Sequence, residues 1–198
     1  HPQIDQTRVV IHPHDLALYE IATDGLGLGL PIYGGDLRQD SVRLGLQQIA
    51  VDTPDFVMIH DGARPFVPSD VIKRLLEALD SAAGAIPTLP LTDTIKRVVD
   101  GKIVTTENRS QLWRAQTPQG FRYADILCAH LELAGQNLTD DAAVCEAAGL
   151  VVASVDGNDT NIKITKPIDI ESLRNVATAK ETRTGSGFDV HRFTDGDQ

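Results

Sequence analysis

The chain has 198 residues, of which 41% are hydrophobic and 23% charged, and these proportions fit one soluble α/β domain with its own core. A formal net charge of −10 argues against a broad nucleic-acid or acidic-membrane surface. No apolar run reaches membrane-spanning length, so no membrane partner is expected. Cys128 and Cys145 stand far apart, which predicts buried free thiols in a reducing, cytoplasmic setting.

Short β-branched segments alternate with longer amphipathic segments along the first half of the chain. We predict strands over 8–11, 56–60 and 83–91, and helices over 15–23, 39–50 and 69–82. Ser69 is a plausible N-cap of the third helix. Residues 24–30 (DGLGLGL) contain glycines but lack the strand and helix start of a phosphate loop, so we interpret them as a connection. The alternation predicts a Rossmann-like α/β fold, with a mostly parallel sheet and helices on both faces.

The second half departs from this alternation at residues 94–106. Two short strands flank Asp100-Gly101, the pair favoured in type I′ turns, so a β-hairpin is predicted. Its strands carry few core-sized residues, and we expect it to project as an arm suited to subunit contacts. Helices over 124–134 and 140–148, strands over 150–155 and 161–164, and a helix from Pro167 follow.

The segment FVMIHDGARPFV, residues 56–67, predicts a strand that ends next to Asp61. Ligands of open α/β sheets bind beyond the carboxyl ends of the strands. There Asp61 could hold Mg²⁺, Gly62 could let a ligand approach the backbone, and Arg64 could grip a phosphate. Alternatively, Asp61 caps a turn and Arg64 pairs with a surface acid, and the pattern alone leaves both interpretations open.

Other segments carry weaker signals. Residues 34–42 (GGDLRQDSV) place glycines before Asp40 and Ser41 at a helix start, which suits either a nucleotide or simple N-capping. Arg109, Arg114 and Thr117 form another candidate group after the hairpin.

Two further patterns depend on strand geometry. On a predicted strand, Lys163 would share a face with Asn161 and Thr165, either neutralising phosphoryl charge or lying exposed at an edge. Asp189 and His191 are two residues apart, so on a strand they share a face as metal ligands do, although two ligands do not make a zinc site.

Six blocks in a fixed order resemble the 2-C-methyl-D-erythritol 4-phosphate cytidylyltransferase family, which has a nucleotide-diphospho-sugar transferase-like fold. They are GGDLRQDSV, HDGARPFV, PLTDTIKRV, NRSQLWRAQTPQGF, TDDAAVCEAAG and NIKITKPIDI. The tail TRTGSGFDVHRF resembles the opening of 2-C-methyl-D-erythritol 2,4-cyclodiphosphate synthase, in the order of a fused bifunctional enzyme. The resemblance implies a cytidylyltransferase domain over 1–177, a linker over 178–184 and the first cyclase strand over 185–198.

The implied reaction is CMP transfer from CTP to methylerythritol phosphate, with release of pyrophosphate, in non-mevalonate isoprenoid biosynthesis. The implied catalytic residues are Asp61, which would bind Mg²⁺, Lys163, which would stabilise the α-phosphate of CTP, and Arg109. Further implied contacts are Gly35, Asp36, Ser41 and Gly62 to CTP, and Asp61, Arg64, Thr94, Arg109 and Thr117 to methylerythritol phosphate. The hairpin would be exchanged in a homodimer, and Asp189 and His191 would be two of three Zn²⁺ ligands of the cyclase.

That family also opens with a strand and a glycine-rich loop that wraps the CTP triphosphate, and nothing similar precedes His1. These 198 residues alone are therefore expected to be impaired as a cytidylyltransferase and inactive as a cyclase, unless the molecule contains the missing ends. Two other hypotheses stay open. One is a nucleotidyltransferase of the same fold for another sugar or polyol phosphate, and the other is a non-catalytic dimerising scaffold.

Overall fold

The computed structural model describes residues 1–170. His1–Lys163 form one compact unit, and residues 164–170 belong to a second unit. In the second unit, the Asp169 carboxylate accepts hydrogen bonds from the backbone N–H groups of Thr165 and Lys166, each at 2.8 Å. These bonds satisfy N–H groups at the start of the helix predicted from Pro167. The predicted linker over 178–184 and cyclase strand over 185–198, with Asp189 and His191, lie outside the described residues.

The first unit alternates strands and helices as the sequence pattern predicts. In chain order the elements are β1 (Val10–Ile11), α1 (Leu16–Thr23), β2 (Ile32–Tyr33), α2 (Arg38–Gln48), β3 (Phe56–Ile59), α3 (Ser69–Leu79), β4 (Gly84–Pro90), β5 (Lys96–Val99), β6 (Lys102–Thr106), β7 (Trp113–Ala115), β8 (Gln119–Arg122), α4 (Tyr123–Glu132), α5 (Asp141–Ala147) and β9 (Val152–Asp156). Residues 24–30 form the predicted connection between α1 and β2.

The main sheet has five strands, and β3, β4 and β9 run in the same direction. β9 pairs with β4 in parallel, whereas β8 lies antiparallel between β3 and β4. β7 continues the line of β8 along the later half of β4. The carboxyl ends of β3, β4 and β9 therefore meet at one edge. The predicted mostly parallel α/β sheet is confirmed, with β7 and β8 as an antiparallel insertion that the alternation does not indicate.

Helices cover both faces of this sheet, as predicted. On one face α3 buries Val71, Leu75 and Leu79 against Met58 of β3 and Ala153 of β9. On the other face, Phe121 of β8 and Ile126 of α4 form a second core with residues of α2 and α5. Successive strand residues point to opposite faces, so neighbouring Val57 and Met58 of β3 serve different cores.

The predicted hairpin is present and forms its own two-stranded sheet from β5 and β6. Asp100 and Gly101 at its tip have φ angles of 48° and 73°, the left-handed conformation that a type I′ turn requires. Every residue of both strands is exposed, including Val98, Val99, Ile103 and Val104. The arm thus presents apolar side chains that the rest of the described chain does not cover.

Three local predictions are wrong. The segment 161–164 is not a strand. The carbonyl oxygen of Asn161 accepts from the Arg64 side chain and its side chain donates to the Thr117 carbonyl oxygen, so Asn161 does not pair with a neighbouring strand. Ser69 does not cap α3, because it is the first helical residue and the N-cap position is held by Pro68, whose side chain makes no cap hydrogen bond. Cys128 is exposed because it lies on α4 away from the buried Ile126 and Ala129, whereas Cys145 is buried as predicted.

Candidate active site

Asp61 lies just beyond the carboxyl end of β3 and is surrounded by positive charge. The Lys163 Nζ atom is 2.8 Å from Asp61 Oδ2, and the nearest guanidinium nitrogens of Arg38 and Arg64 are each 3.9 Å from a carboxylate oxygen. We call Asp61 and these three cations the Asp61 cluster. The Asp61 side chain is 18% exposed, so one side of the cluster faces solvent. These three cations outnumber Asp61 and Asp141, the second acid that Arg38 contacts, which leaves a small excess of positive charge that suits an anionic ligand.

The sheet register places Asp61 beside Thr117. β3 and β8 run antiparallel with Ile59 opposite Gln119, so the residues just outside this pair face each other. The Asp61 N–H donates to Thr117 Oγ1 at 3.0 Å, and His60 Nδ1 lies 3.0 Å from the same hydroxyl. His60 Nε2 is 2.9 Å from the Arg64 carbonyl oxygen, which can only accept, so Nε2 carries the proton. This network fixes the 60–64 turn.

Asn161 anchors the other side of the site. It is fully buried, and its Nδ2 donates to the Thr117 carbonyl oxygen at 2.8 Å. Its own carbonyl oxygen accepts from Arg64 Nη1 at 2.7 Å and from Gln116 Nε2 at 3.0 Å. The segment that carries Lys163 is therefore tied to both the 60–64 turn and Thr117.

The environment of Arg64 also affects its titration. Burial lowers the pKa of Arg64 from its ordinary value, and the neighbouring Arg114 lowers it further while Asp61 opposes the shift.

Arg38, at the start of α2, joins the site to a buried acid. Its Nη2 donates to Asp141 Oδ2 at 2.7 Å, and Asp141 Oδ1 lies 3.1 Å from His130 Nε2. Asp141 and His130 have no exposed surface. Burial disfavours the charged form of Asp141, but the hydrogen bonds from His130 and Arg38 outweigh it and lower the pKa of the carboxyl. Burial likewise opposes the charge of Arg38, yet Asp141 raises its pKa, so the pair is ionised.

The glycine segment before α2 is held close to the helix. The Gly35 N–H donates to Ser41 Oγ at 3.1 Å, and a Cβ on Gly35 would come within 2.8 Å of Asp40 Cβ. Asp36 is exposed beside it. Because Arg38 of the same segment reaches Asp61, this loop belongs to the same end of the sheet as the Asp61 cluster.

Thr94 and Arg109 lie apart from this cluster. Thr94 is exposed at the base of the hairpin, and Arg109 donates to the Thr92 carbonyl oxygen. Within residues 1–170, no hydrogen bond or ion pair joins either side chain to Asp61 or Lys163. Arg114 pairs with Asp159 at 3.4 Å on an exposed surface. Of the predicted site, the structure thus brings together Asp61, Arg64, Thr117 and Lys163, with Gly62 exposed in the connecting turn.

Sequence reasoning missed several residues that the structure places at the site. Arg38 and Asp141 lie in blocks that carry the family resemblance, but nothing in either block indicates that the two side chains meet across 103 residues. The one sequence signal for Asp141 is that two acids, Asp140 and Asp141, stand at the start of α5, where a single acid is enough to cap the helix. Asp140 does cap it, accepting from the Ala143 N–H at 2.9 Å, which leaves Asp141 for another role.

The surroundings of the cluster bear on its ligands. A surface depression of about 540 Å³ adjoins it and is lined by residues that include His60, Gly62 and Arg64. Among the described residues, no group of three or more His, Cys, Asp or Glu side chains could hold a metal ion. The helices of residues 1–170 are also all too short or too polar to cross a membrane.

Comparisons with known proteins agree with the resemblance. The family model described as IspD, 2-C-methyl-D-erythritol 4-phosphate cytidylyltransferase, matches residues 1–178. The bifunctional enzyme IspD/IspF of Paramagnetospirillum magneticum is 52% identical over 193 residues, which are 97% of this chain and 50% of that protein. The protein of the same name from Rhodospirillum rubrum is 52% identical over 199 residues, which are 100% of this chain and 52% of that protein. The chain spans about half the length of the curated relatives it matches.

Solved structures of similar proteins match the fold. A crystal structure of 4-diphosphocytidyl-2C-methyl-D-erythritol synthase has a TM-score of 0.79 at 32% identity and covers 89% of this chain and 83% of its own. The 2-C-methyl-D-erythritol 4-phosphate cytidylyltransferase of Thermus thermophilus has a TM-score of 0.75 at 32% identity, with 89% and 84% covered. The bifunctional IspDF from Campylobacter jejuni has a TM-score of 0.67 at 27% identity, with 83% and 41% covered. The chain therefore belongs to the 2-C-methyl-D-erythritol 4-phosphate cytidylyltransferase family of nucleotidyltransferases.

Proposed function

We propose that the protein transfers CMP from CTP to 2-C-methyl-D-erythritol 4-phosphate, giving 4-diphosphocytidyl-2-C-methyl-D-erythritol and pyrophosphate. The observation that carries the proposal is the Asp61 cluster, in which Lys163, Arg38 and Arg64 surround one carboxylate at the carboxyl end of β3. Both reactants are polyanions, and a site at this edge of an α/β sheet with excess positive charge suits them.

The reaction is an in-line displacement at phosphorus. A phosphate oxygen of methylerythritol phosphate forms a bond to the α-phosphorus of CTP, and the bond from that phosphorus to the oxygen bridging to the β-phosphate breaks. The electron pair leaves with pyrophosphate. No general base is required, because a phosphate monoester is already largely ionised near neutral pH. The side chains therefore contribute by positioning the two anions and by neutralising charge in the transition state.

Lys163 and Arg64 are suited to different parts of this task. Lys163 is 46% exposed, so its ammonium group can move from Asp61 to an α-phosphate oxygen with little loss of burial. Arg64 donates to the Asn161 carbonyl oxygen at 2.7 Å and is largely buried. Its guanidinium is therefore a fixed anchor for the phosphate of methylerythritol phosphate, the acceptor substrate. Thr117, beside the same turn, would border the acceptor.

Mg²⁺ fits Asp61 as a ligand. Mg²⁺ retains several waters and is commonly bound through one or two carboxylates together with substrate phosphates, so a single protein carboxylate is enough. When bound, the metal would supply charge neutralisation at the phosphate oxygens.

The remaining roles follow the family pattern. Gly35, Asp36, Ser41 and Gly62 would contact CTP, and their grouping near α2 and the 60–64 turn supports a shared nucleotide site. Thr94 and Arg109, which stand apart near the hairpin, would reach methylerythritol phosphate in a homodimer through exchanged arms. The exposed apolar side chains of the arm support such a contact.

The parent protein would also carry cyclodiphosphate synthase activity, with Zn²⁺ held in part by Asp189 and His191. The curated relatives of about twice this length, named bifunctional enzymes, support that arrangement. A cytoplasmic location fits the two free cysteines.

The test is release of pyrophosphate by the full-length protein, measured with CTP, methylerythritol phosphate and Mg²⁺ and with each omitted in turn. A panel of other nucleoside triphosphates and other sugar or polyol phosphates is run in parallel. The proposal predicts release that needs all three components. Release with another acceptor would indicate a related nucleotidyltransferase instead, and CTP binding without any release would indicate a scaffold.

A further inference from the structure

Asp141 is a buried carboxylate whose two oxygens are both taken by cationic or potentially cationic groups. Oδ2 accepts from Arg38 at 2.7 Å and Oδ1 lies 3.1 Å from His130 Nε2, with no exposed surface on either Asp141 or His130. A carboxylate held at both oxygens has a fixed orientation. Among residues 1–170, no hydrogen-bond partner reaches the buried Nδ1 of His130, so the ring is held through Nε2 by Asp141 alone.

Arg38 links this buried acid to the Asp61 cluster. Its side chain is 39% exposed, and its Nη2 lies 2.7 Å from Asp141 and 3.9 Å from Asp61. Arginine carries five N–H donors in a rigid fork. Within residues 1–170, only the Nη2 group of Arg38 has a side-chain acceptor in hydrogen-bonding distance. The remaining donors are therefore available at the solvent-exposed end of the site.

We infer that Arg38 is a further substrate-binding residue that contacts the phosphates of the nucleotide, and that Asp141 is a positioning residue that holds its guanidinium in place. The inference rests on the proposed function for the identity of the nucleotide. A long, flexible side chain loses rotamer freedom when it binds a ligand, and anchoring one nitrogen beforehand reduces that cost. Among residues 1–170, Asp61 is the only acid paired with Lys163, and that lysine is 46% exposed, so the two cations differ in how strongly they are preorganised.

The hydrogen bond to the buried Asp141 also explains why Arg38 does not form a close ion pair with Asp61. Two acids compete for its guanidinium, and the bond to Asp141 is shorter by more than an ångström. Asp140 contributes a further negative charge nearby but is occupied by Gln119 Nε2 at 2.8 Å and by the Ala143 N–H. Arg38 therefore does not occupy Asp61, whose Oδ2 is already contacted by Lys163 at 2.8 Å, and the other donors of Arg38 stay available for phosphate.

A double-mutant cycle tests the inference in the full-length protein. Arg38→Ala, Asp141→Asn and the double variant are compared with wild type for CTP affinity by calorimetry, and separately for pyrophosphate release. Arg38→Ala should weaken CTP binding about 10- to 100-fold, the range for loss of charge-assisted hydrogen bonds. Asp141→Asn should weaken it about tenfold alone but less than about twofold once Arg38 is absent, because residues that act through one another are not additive.

A matched control pair lies on another helix. Arg74 and Asp70 of α3 have the same residue types at the same 2.7 Å separation, outside the Asp61 cluster. Arg74→Ala and Asp70→Asn should leave CTP affinity unchanged. Thermal unfolding of every variant checks folding, and Arg38→Lys, which keeps the charge but loses the fork, replaces Arg38→Ala in the cycle if the latter does not fold.

The outcomes separate this inference from the proposed function. Additive losses in the cycle, wild-type CTP affinity in Arg38→Ala, or no CTP binding by wild type would each overturn the inference. A non-additive cycle in CTP binding, found in a protein that transfers nothing to methylerythritol phosphate, would support the inference and overturn the proposed function.

Discussion

Lys163 Nζ lies 2.8 Å from Asp61 Oδ2, and this contact joins the segment after β9 to the turn after β3. The pair is part of a larger charge arrangement, because Arg38 and Arg64 approach the same carboxylate to 3.9 Å. An ion pair whose lysine is 46% exposed contributes little to folding, typically about 0 to 1 kcal/mol. Its position at the sheet edge is therefore better explained by the binding of anionic substrates than by stability.

Replacing Lys163 should separate these two roles. Lys163→Ala is expected to lower kcat by about 10²- to 10³-fold, the cost of removing one preorganised charge from a transition state. Its free energy of unfolding should change by less than about 1 kcal/mol, because the Lys163 side chain is 46% exposed. Steady-state pyrophosphate release and urea unfolding of the same preparation measure the two effects.

Lys73→Ala serves as the control for that experiment, because Lys73 pairs with Glu77 at 3.7 Å on the exposed side of α3. It should leave both quantities near the wild-type values. A Lys163→Ala variant with wild-type kcat would contradict the role assigned to Lys163.

Asn161 should matter more for folding than Lys163 does. It is fully buried, and Asn161→Ala would leave the Thr117 carbonyl oxygen without its donor in the interior. An unpaired buried polar group costs about 1 to 3 kcal/mol, so the free energy of unfolding should fall by that amount. The exposed Asn137 provides the matched substitution, and Asn137→Ala should stay within about 0.5 kcal/mol of wild type. Urea titrations that fail to distinguish the two variants would refute the structural role of Asn161.

The buried Asp141 predicts a specific pH dependence of stability. Its pKa is lowered in the folded protein, so its contribution is fully present above the unfolded value of about 3.9 and is lost as the pH falls through the folded pKa. Asp141→Asn should destabilise the protein near pH 7 by about 3 kcal/mol, the low end of the cost of breaking a buried ion pair, because Arg38 is partly exposed. The difference from wild type should shrink as the pH is lowered below about 4.

Urea unfolding of wild type and Asp141→Asn at pH values from 7 to 3 measures this difference. Asp159→Asn is the control, since that side chain is 85% exposed, and it should remain within about 0.5 kcal/mol of wild type. A destabilisation by Asp141→Asn that does not depend on pH would contradict the charged state assigned to Asp141.

Local sequence patterns predict much of the fold and part of the candidate site. Alternating segments predicted the layers, Asp100-Gly101 predicted the hairpin turn, and the strand end in HDGARP located Asp61. The Arg38–Asp141 pair could not be predicted, because contact across 103 residues depends on how α2 and α5 pack rather than on either local sequence. The β-branched residues of 161–164 predict a strand, but the buried Asn161 hydrogen-bonds to Thr117 and Arg64 at the site instead.

The hairpin predicts an effect on assembly. Val98, Val99, Ile103 and Val104 are each more than half exposed, an unusual density of apolar surface for a two-stranded arm. If the arm is exchanged in a homodimer, Ile103→Lys should shift the protein toward smaller species in sedimentation velocity. Val151→Lys, at an equally exposed apolar position outside the arm, should not. An unchanged sedimentation profile for Ile103→Lys would exclude the arm as the dimer contact.

The two cysteines should differ sharply in reactivity. Burial raises the pKa of the Cys145 thiol to about 12, and the thiolate is the reactive form. Cys128 is exposed on α4. Brief alkylation of the folded protein at pH 8, followed by peptide mass spectrometry, should modify Cys128 and spare Cys145, whereas both should react in urea. Equal labelling in the folded protein would mean that Cys145 is not buried as described.

The central claim is that the Asp61 cluster supports cytidylyl transfer to methylerythritol phosphate. Phosphorus NMR of the full-length protein with CTP, methylerythritol phosphate and Mg²⁺ tests it directly, with Asp61→Asn in parallel. Wild type should convert the monoester signal of the acceptor into a pair of coupled diphosphate-ester signals while pyrophosphate accumulates, and Asp61→Asn should slow this by about 10²-fold or more. No diphosphate ester from wild type, or equal rates for the two proteins, would contradict the claim.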